Sequence, residues 1–170
     1  MASSCYGQSD TAKELYEKGV RENLSGQLIE ASVTLTKAIS EEPGYAAAYY
    51  QRGMSFYGIE KTNSAINDLE RATRFNVSSI NAYLTLIDIY KKQKAYKKAI
   101  IVTDRIANQL PDNAIGAYYT QGLIYEELND FPNALKSYRK ADDLAFQTMP
   151  KFARKLQKRI AEVQSMKTLR

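Results

Sequence analysis

The chain has 170 residues, 44% of them hydrophobic and 25% charged, a composition that suits a folded globular protein of one domain or a short array of repeated units. With no His and a single Cys, His-based triads, Cys/His zinc patterns and an intrachain disulfide are excluded, so catalysis is disfavoured, with only carboxylate or lysine chemistry left open, and no metal or cofactor is expected. The net charge of +5 is uneven: residues 151–170 hold seven Lys and Arg against Glu162, while the remaining chain is close to neutral, and no run of eighteen apolar residues exists to span a bilayer.

The first ten residues, "MASSCYGQSD", are small and polar, and are predicted to be disordered. Within them "ASSCYGQ" is similar to the end of an export signal, with Cys5 and Gly7 spaced for cleavage before Gln8, but the apolar segment that should precede it is missing. As the chain stands nothing targets it, which gives a cytoplasmic expectation. An exported protein is the alternative if residues 1–7 are the end of a truncated signal, and a lipid-anchored Cys5 is a weaker variant of that alternative. From there, apolar residues at helical spacing predict helices over 11–24, 27–41, 45–58, 61–75, 79–92, 95–109, 113–128 and 131–146. The breaks between them carry turn residues: "SGQ" at 25–27, "GIEK" at 58–61, "LNDFP" at 128–132, and Pro43 and Pro111. A ninth helix is predicted from Pro150, a residue suited to a first helical position.

The helices are written in a register. "AYYQRG" at 48–53 returns as "AYYTQG" at 117–122, Gly19, Gly53 and Gly122 fall on one period, and Ala31, Ala65, Ala99 and Ala134 recur every 34 or 35 residues. Period, helix pairing and small residues resemble the tetratricopeptide repeat. The first unit supplies Leu15, Gly19, Ala31, Leu35, Ala38 and Pro43, the second Tyr49, Gly53, Phe56, Ala65, Leu69 and Ala72, and the fourth Tyr118, Gly122, Tyr125, Ala134, Tyr138 and Ala141. The third keeps Tyr83, Leu86, Tyr90, Ala99 and Pro111 but has Ile87 and Ile106 where Gly and Ala belong, so it should open slightly. The resemblance implies an all-α fold: a right-handed α-solenoid of four helix-turn-helix units, about 12–45, 46–79, 80–114 and 115–148, with 150–170 as a basic amphipathic capping helix. Phe152, Leu156, Ile160 and Val163 form its apolar stripe, and Lys151, Arg154, Lys155 and Lys158 lie mostly off it.

The doubled tyrosine separates into two roles. Tyr49 and Tyr118 share a face with Gly53 and Gly122, while Tyr50 and Tyr119 stand about 100° further round the helix. From them a second line runs through Tyr16, Val20, Tyr50, Met54, Tyr57, Leu84, Tyr119 and Leu123, with Gln51, Thr85 and Asp88 interleaved. In the resembled family that line faces the concave groove, so these eleven residues are the candidate partner-binding set; packing between neighbouring first helices is the alternative for each taken singly.

The expected function is a non-enzymatic adaptor that binds a partner peptide or helix in the groove. A self-associating assembly unit and a basic C-terminal helix that binds an anionic partner are the alternatives, and nucleic acid is disfavoured because no nucleic-acid motif accompanies the charge. Family members that hold acidic chaperone tails use a clamp of Lys, Asn and Arg. The corresponding residues here are Tyr16, Val20, Gln51, Asn81 and Thr85, so a chaperone tail is not the expected partner.

Overall fold

The structure is a computed structural model that describes residues 10–76 and 78–168. The expected export-signal remnant and Cys5 lie outside the described residues. Among those described, nine α-helices and one short 3-10 turn, Pro111–Asn113, account for nearly all the backbone. The helices are α1 (Asp10–Leu24), α2 (Leu28–Glu41), α3 (Ala46–Gly58), α4 (Thr62–Phe75), α5 (Ile80–Lys92), α6 (Tyr96–Gln109), α7 (Ala114–Glu127), α8 (Phe131–Thr148) and α9 (Pro150–Thr168). The fold is an all-α helical repeat. Helix boundaries follow the expected ones within one or two residues, because the turn residues mark them.

Each turn inside a helix pair reverses the chain through one residue of positive φ: Gly26 (78°), Glu60 (62°), Lys94 (55°) and Asn129 (57°). These positions recur at intervals of 34, 34 and 35. The turn therefore repeats as backbone geometry even where its sequence does not. Only the first uses Gly, the residue without a Cβ penalty there, and Asn129 is the next most tolerant.

The chain divides into two compact units, Met1–Thr85 and Leu86–Arg170. In the first, α1 packs on α2, α2 on α3 and α3 on α4. Close approach is set by small residues: Ala12, Ala31, Ala38, Ala48, Ala65 and Ala72 are buried beside Leu35, Tyr49 and Leu69. A Cβ built on Gly19 would lie 2.5 Å from Leu35 Cγ, and one on Gly53 would lie 3.2 Å from Leu69 Cγ. Contacting carbons normally sit about 3.5–4.0 Å apart, so the glycines are seats for the leucines sixteen residues on.

In the second unit α6 packs on α7, α7 on α8 and α8 on α9. Gly122 is the seat for the Tyr138 ring, whose Cδ1 would stand 2.6 Å from an added Cβ. Ile87 and Ile106, the two departures from the small-residue pattern, are both buried. The position sixteen residues after Ile87 is Thr103, also buried, where the other repeats have Leu or Tyr. The third repeat thus carries the larger residue on α5 and the smaller one on α6, the reverse of the other three. The last helix buries Ala153, Leu156 (1% exposed) and Val163 (0%), with Phe152 and Ile160 half-buried against the Tyr138 cluster.

Candidate partner-binding surface

In the first unit, consecutive tyrosines on α3 divide as helical geometry requires. Tyr49 is buried, and Tyr50 is half-buried. Tyr16 and Val20 on α1, and Met54 and Tyr57 on α3, are half-buried as well, while Leu84 near the start of α5 is 50% exposed. Such side chains offer apolar area without being fully covered by the fold, which is the condition for an anchor surface. Tyr16 leans on the buried Tyr45, ring centroids 5.0 Å apart. Burial, and then the neighbouring Tyr16, push the Tyr45 hydroxyl up to about 12.

The polar residues of the set are tied into the fold. Asn23 Nδ2 donates to the Gln51 carbonyl oxygen (3.0 Å) and to its side-chain Oε1 (3.3 Å), and Ser55 Oγ donates to Asn23 Oδ1 (2.7 Å), which locks α1 to α3. Thr85 Oγ1 donates to the Asn81 carbonyl (2.8 Å) and lies 3.9 Å from Met54 Sδ. Gln51 and Thr85 therefore hold the surface in shape.

In the second unit Asp88 is exposed and paired with Lys92 at 3.0 Å, one turn on. Leu123 and Tyr119 are half-buried. The Tyr119 ring meets Phe152 of α9 edge-on at 5.5 Å and Tyr138 at 5.7 Å, so α9 covers part of the ring that the sequence pattern leaves open.

Two further arrangements escape sequence reasoning. Arg52 donates from Nε and Nη2 to the two Asp68 oxygens at 2.7 and 2.8 Å, and from Nη1 to Thr36 Oγ1 at 2.9 Å, bridging α2 and α4. At the corresponding place in the second unit, Gln121 Nε2 donates to Asp104 (2.7 Å) and Thr103 (3.2 Å) on α6, and Gln121 Oε1 accepts from Ser137 Oγ (2.7 Å) on α8. The shorter amide leaves a polar cavity of about 190 Å³ bordered by Asp104, Gln121, Tyr125, Lys136, Ser137 and Lys140. Arg52 and Gln121, and likewise Asp68 and Ser137, stand sixty-nine residues apart, so the internal repeat carried the signal.

The second arrangement pins α9. Arg159 Nε donates to Glu126 Oε1 at 2.9 Å and Nη2 to Oε2 at 2.5 Å, Nη1 reaches Glu162 at 3.1 Å, and the Tyr138 hydroxyl donates a very short hydrogen bond to Glu126. Burial, then Glu126, drive the Tyr138 hydroxyl far above its usual range. For Arg159, burial alone would favour losing the charge, but its bonds to Glu126, Glu162 and Tyr138 outweigh it. Among the described residues no group of three or more His, Cys, Asp or Glu side chains is placed to hold a metal, and no helix is long and apolar enough to cross a membrane.

The tetratricopeptide repeat family model matches residues 115–148, the segment that folds as α7 and α8. Residues 115–148 are thus a tetratricopeptide repeat by family model, and the fold of the chain is similar to that of a solved repeat protein. It is 28% identical over 108 residues to neutrophil cytosol factor 2 of Bos taurus, a match that takes in 54% of this chain and 20% of that protein. The chain spans a fifth or less of the length of the curated relatives it matches. Among solved structures, MamA superposes with a TM-score of 0.68 and 27% identity over 81% of this chain and 80% of MamA. The first TPR of Spaghetti (RPAP3), solved bound to HSP90 peptide SRMEEVD, superposes with a TM-score of 0.61 over 72% of this chain and 99% of that one. At 23% identity that last likeness is one of fold.

Proposed function

We propose that this helical repeat protein is a non-enzymatic interaction adaptor. Its first unit holds a segment of a partner protein against Tyr16, Val20, Tyr50, Met54, Tyr57 and Leu84. The observation that carries the reading is that six apolar or aromatic side chains in one register are left half-covered, while Gln51 among them is spent on tying α3 to α1. Large rings and a pliable thioether gain area on contact at little entropic cost, which suits recognition of an apolar or amphipathic segment. Asp88, Tyr119 and Leu123 of the second unit hold the same register positions within their own repeats, where Tyr119 already gives one edge to Phe152. The Spaghetti structure is a fold-mate that holds a peptide, which is consistent with peptide capture here. A chaperone tail is not the proposed ligand, because Tyr16, Val20, Gln51, Asn81 and Thr85 offer no cation to a carboxylate.

Peptides selected from a random display library on the intact chain test the reading. Tyr50→Ala and Met54→Ala should each weaken the selected peptides by about tenfold, the effect of removing one anchor side chain, with melting nearly unchanged. A selection that yields no peptide weakened by both variants would remove the assignment. A second reading, self-association, is favoured by Leu24, Ile29 and Val33, which stand exposed on α1 and α2. Light scattering over a wide concentration range decides it: a monomer at every concentration eliminates self-association.

A further inference from the structure

The corner between α8 and α9 carries an apolar recess of about 460 Å³ lined by Thr148, Met149, Pro150, Lys151, Phe152 and Lys155. Met149 in its wall is 49% exposed, and Leu144 and Phe146 on the preceding turns of α8 are 46% and 66% exposed. Recesses of roughly 300–1,000 Å³ are the size at which proteins hold compact ligands or anchor side chains. Solvent-facing charge at this corner has one sign on α9: Lys151, Arg154, Lys155 and Lys158 are all exposed, and no acidic residue falls between Pro150 and Lys158. Pro150 opens α9, so the positive end of its backbone dipole faces the same way.

We propose that this corner is a docking site for an acidic segment of a partner protein, which inserts one large apolar side chain into the recess and sets its carboxylates against Lys151 and Lys155. The charge complementarity selects the occupant. An apolar anchor accounts for the wall of Met149 and Phe152, and the lysines at its rim would repel a cationic or neutralise an anionic neighbour. A bilayer surface fits less well. A helix that lies in a membrane interface buries an apolar stripe along its length, and the stripe of α9 is already turned into the fold through Leu156 and Val163. The site differs in residues and in chemistry from the surface of the first unit, which lacks a cation where a carboxylate would need one.

Two display libraries of random peptides, one flanked by Asp and Glu and one by Lys and Arg, are selected on the intact chain, with phosphatidylserine vesicles as a third arm. The expected result is enrichment from the acidic library of peptides with a Leu, Phe or Met anchor. Their binding should fall about tenfold in Met149→Asp and in Lys151→Glu/Lys155→Glu, weaken as salt rises past the range where exposed charges are screened, and stay unchanged in Tyr50→Ala. All three α8–α9 positions are solvent-exposed, and a circular dichroism melt identical to the parent verifies that the variants fold. Enrichment only from the basic library, peptides indifferent to both corner variants, or charge-dependent retention on vesicles with no acidic peptide enriched would each overturn the proposal.

Discussion

Replacing Gly122 by Ala tests the packing account at its tightest point. A Cβ there would stand 2.6 and 2.7 Å from Cδ1 and Cζ of the Tyr138 ring, nearly 1 Å inside ordinary contact. The ring cannot step aside cheaply: it is fully buried, and its hydroxyl is bound to Glu126, which Arg159 holds in turn. Overpacking of this kind costs about 1–3 kcal/mol, and disturbing the hydrogen bond adds about 1 kcal/mol, while Ala returns about 1 kcal/mol of helix propensity. The net loss is about 2 kcal/mol, or a melting temperature lowered by about 4–8 °C for a chain of this size. At Gly53 the added Cβ would meet Leu69 Cγ at 3.2 Å and the Ala65 carbonyl oxygen at 3.4 Å, a clash of a few tenths of an ångström that the propensity gain roughly cancels. Gly19→Ala falls between, because Leu35 Cγ at 2.5 Å is about as close as the Tyr138 ring is to Gly122 but belongs to a more flexible side chain. Nothing lies within 4 Å of Gly116, so Gly116→Ala should be neutral or slightly stabilising. Thermal and urea melts followed by far-ultraviolet circular dichroism give the ranking. A Gly122→Ala protein as stable as the parent, or a Gly53→Ala protein that loses more than Gly122→Ala, would refute the reasoning.

Other consequences can be measured in the same way. Truncation before Pro150 removes Leu156 and Val163 from full burial and uncovers the Tyr138 cluster; at about 1.5–3 kcal/mol per buried side chain, melting should drop sharply or the protein should aggregate. Reversing Lys151, Arg154, Lys155 and Lys158 to Glu should leave melting within a few degrees, since exposed charges contribute little. Arg159→Met strands Glu126, whose side chain is only 12% exposed; because Arg159 itself is 35% exposed, the loss should be a moderate one of about 1–3 kcal/mol, partly restored by Glu126→Gln in the same chain. Tyr45 and Tyr138 keep their protons to higher pH when folded than when unfolded, so the folded state binds more protons above about pH 10. Their contribution is complete below that pH and is lost as pH rises through about 12 for Tyr45, and the alkaline fall in melting temperature should shrink in Tyr45→Phe. Glu60→Gly and Lys94→Gly relieve a positive φ and should stabilise by up to about 1 kcal/mol, measured by urea denaturation.

Helix boundaries, the glycine seats and the buried stripe of α9 were legible in the sequence because each depends on local spacing. Turn residues end helices wherever they stand, and a repeat aligns small residues with the large ones they accommodate. Arg159 was not legible. As one of seven basic residues in the tail it looks like surface charge, and only the packing of α9 brings it to Glu126, thirty-three residues earlier. Tyr119 illustrates the same limit, since its register position matches Tyr50, but Phe152 closes over it from outside the repeat. The Arg52–Asp68 bridge was encoded by periodicity but was hidden by substitution, because Gln121 and Ser137 keep the hydrogen bond while discarding both charges. The third repeat exchanges the two sizes, Ile87 in place of Gly and Thr103 in place of Leu or Tyr, a pattern visible only when the two positions are read as a pair.

Hydrogen–deuterium exchange on the intact chain, free and saturated with a peptide selected on it, addresses the adaptor reading most directly. Amide protection tracks which helices a ligand stabilises, so the bound peptide should slow exchange in α1, α3 and residues 80–85, and leave the exposed face of α2 around Ile29 and Val33 unchanged. Protection confined to α2 and α4, with α1 and α3 exchanging as in the free protein, would contradict it.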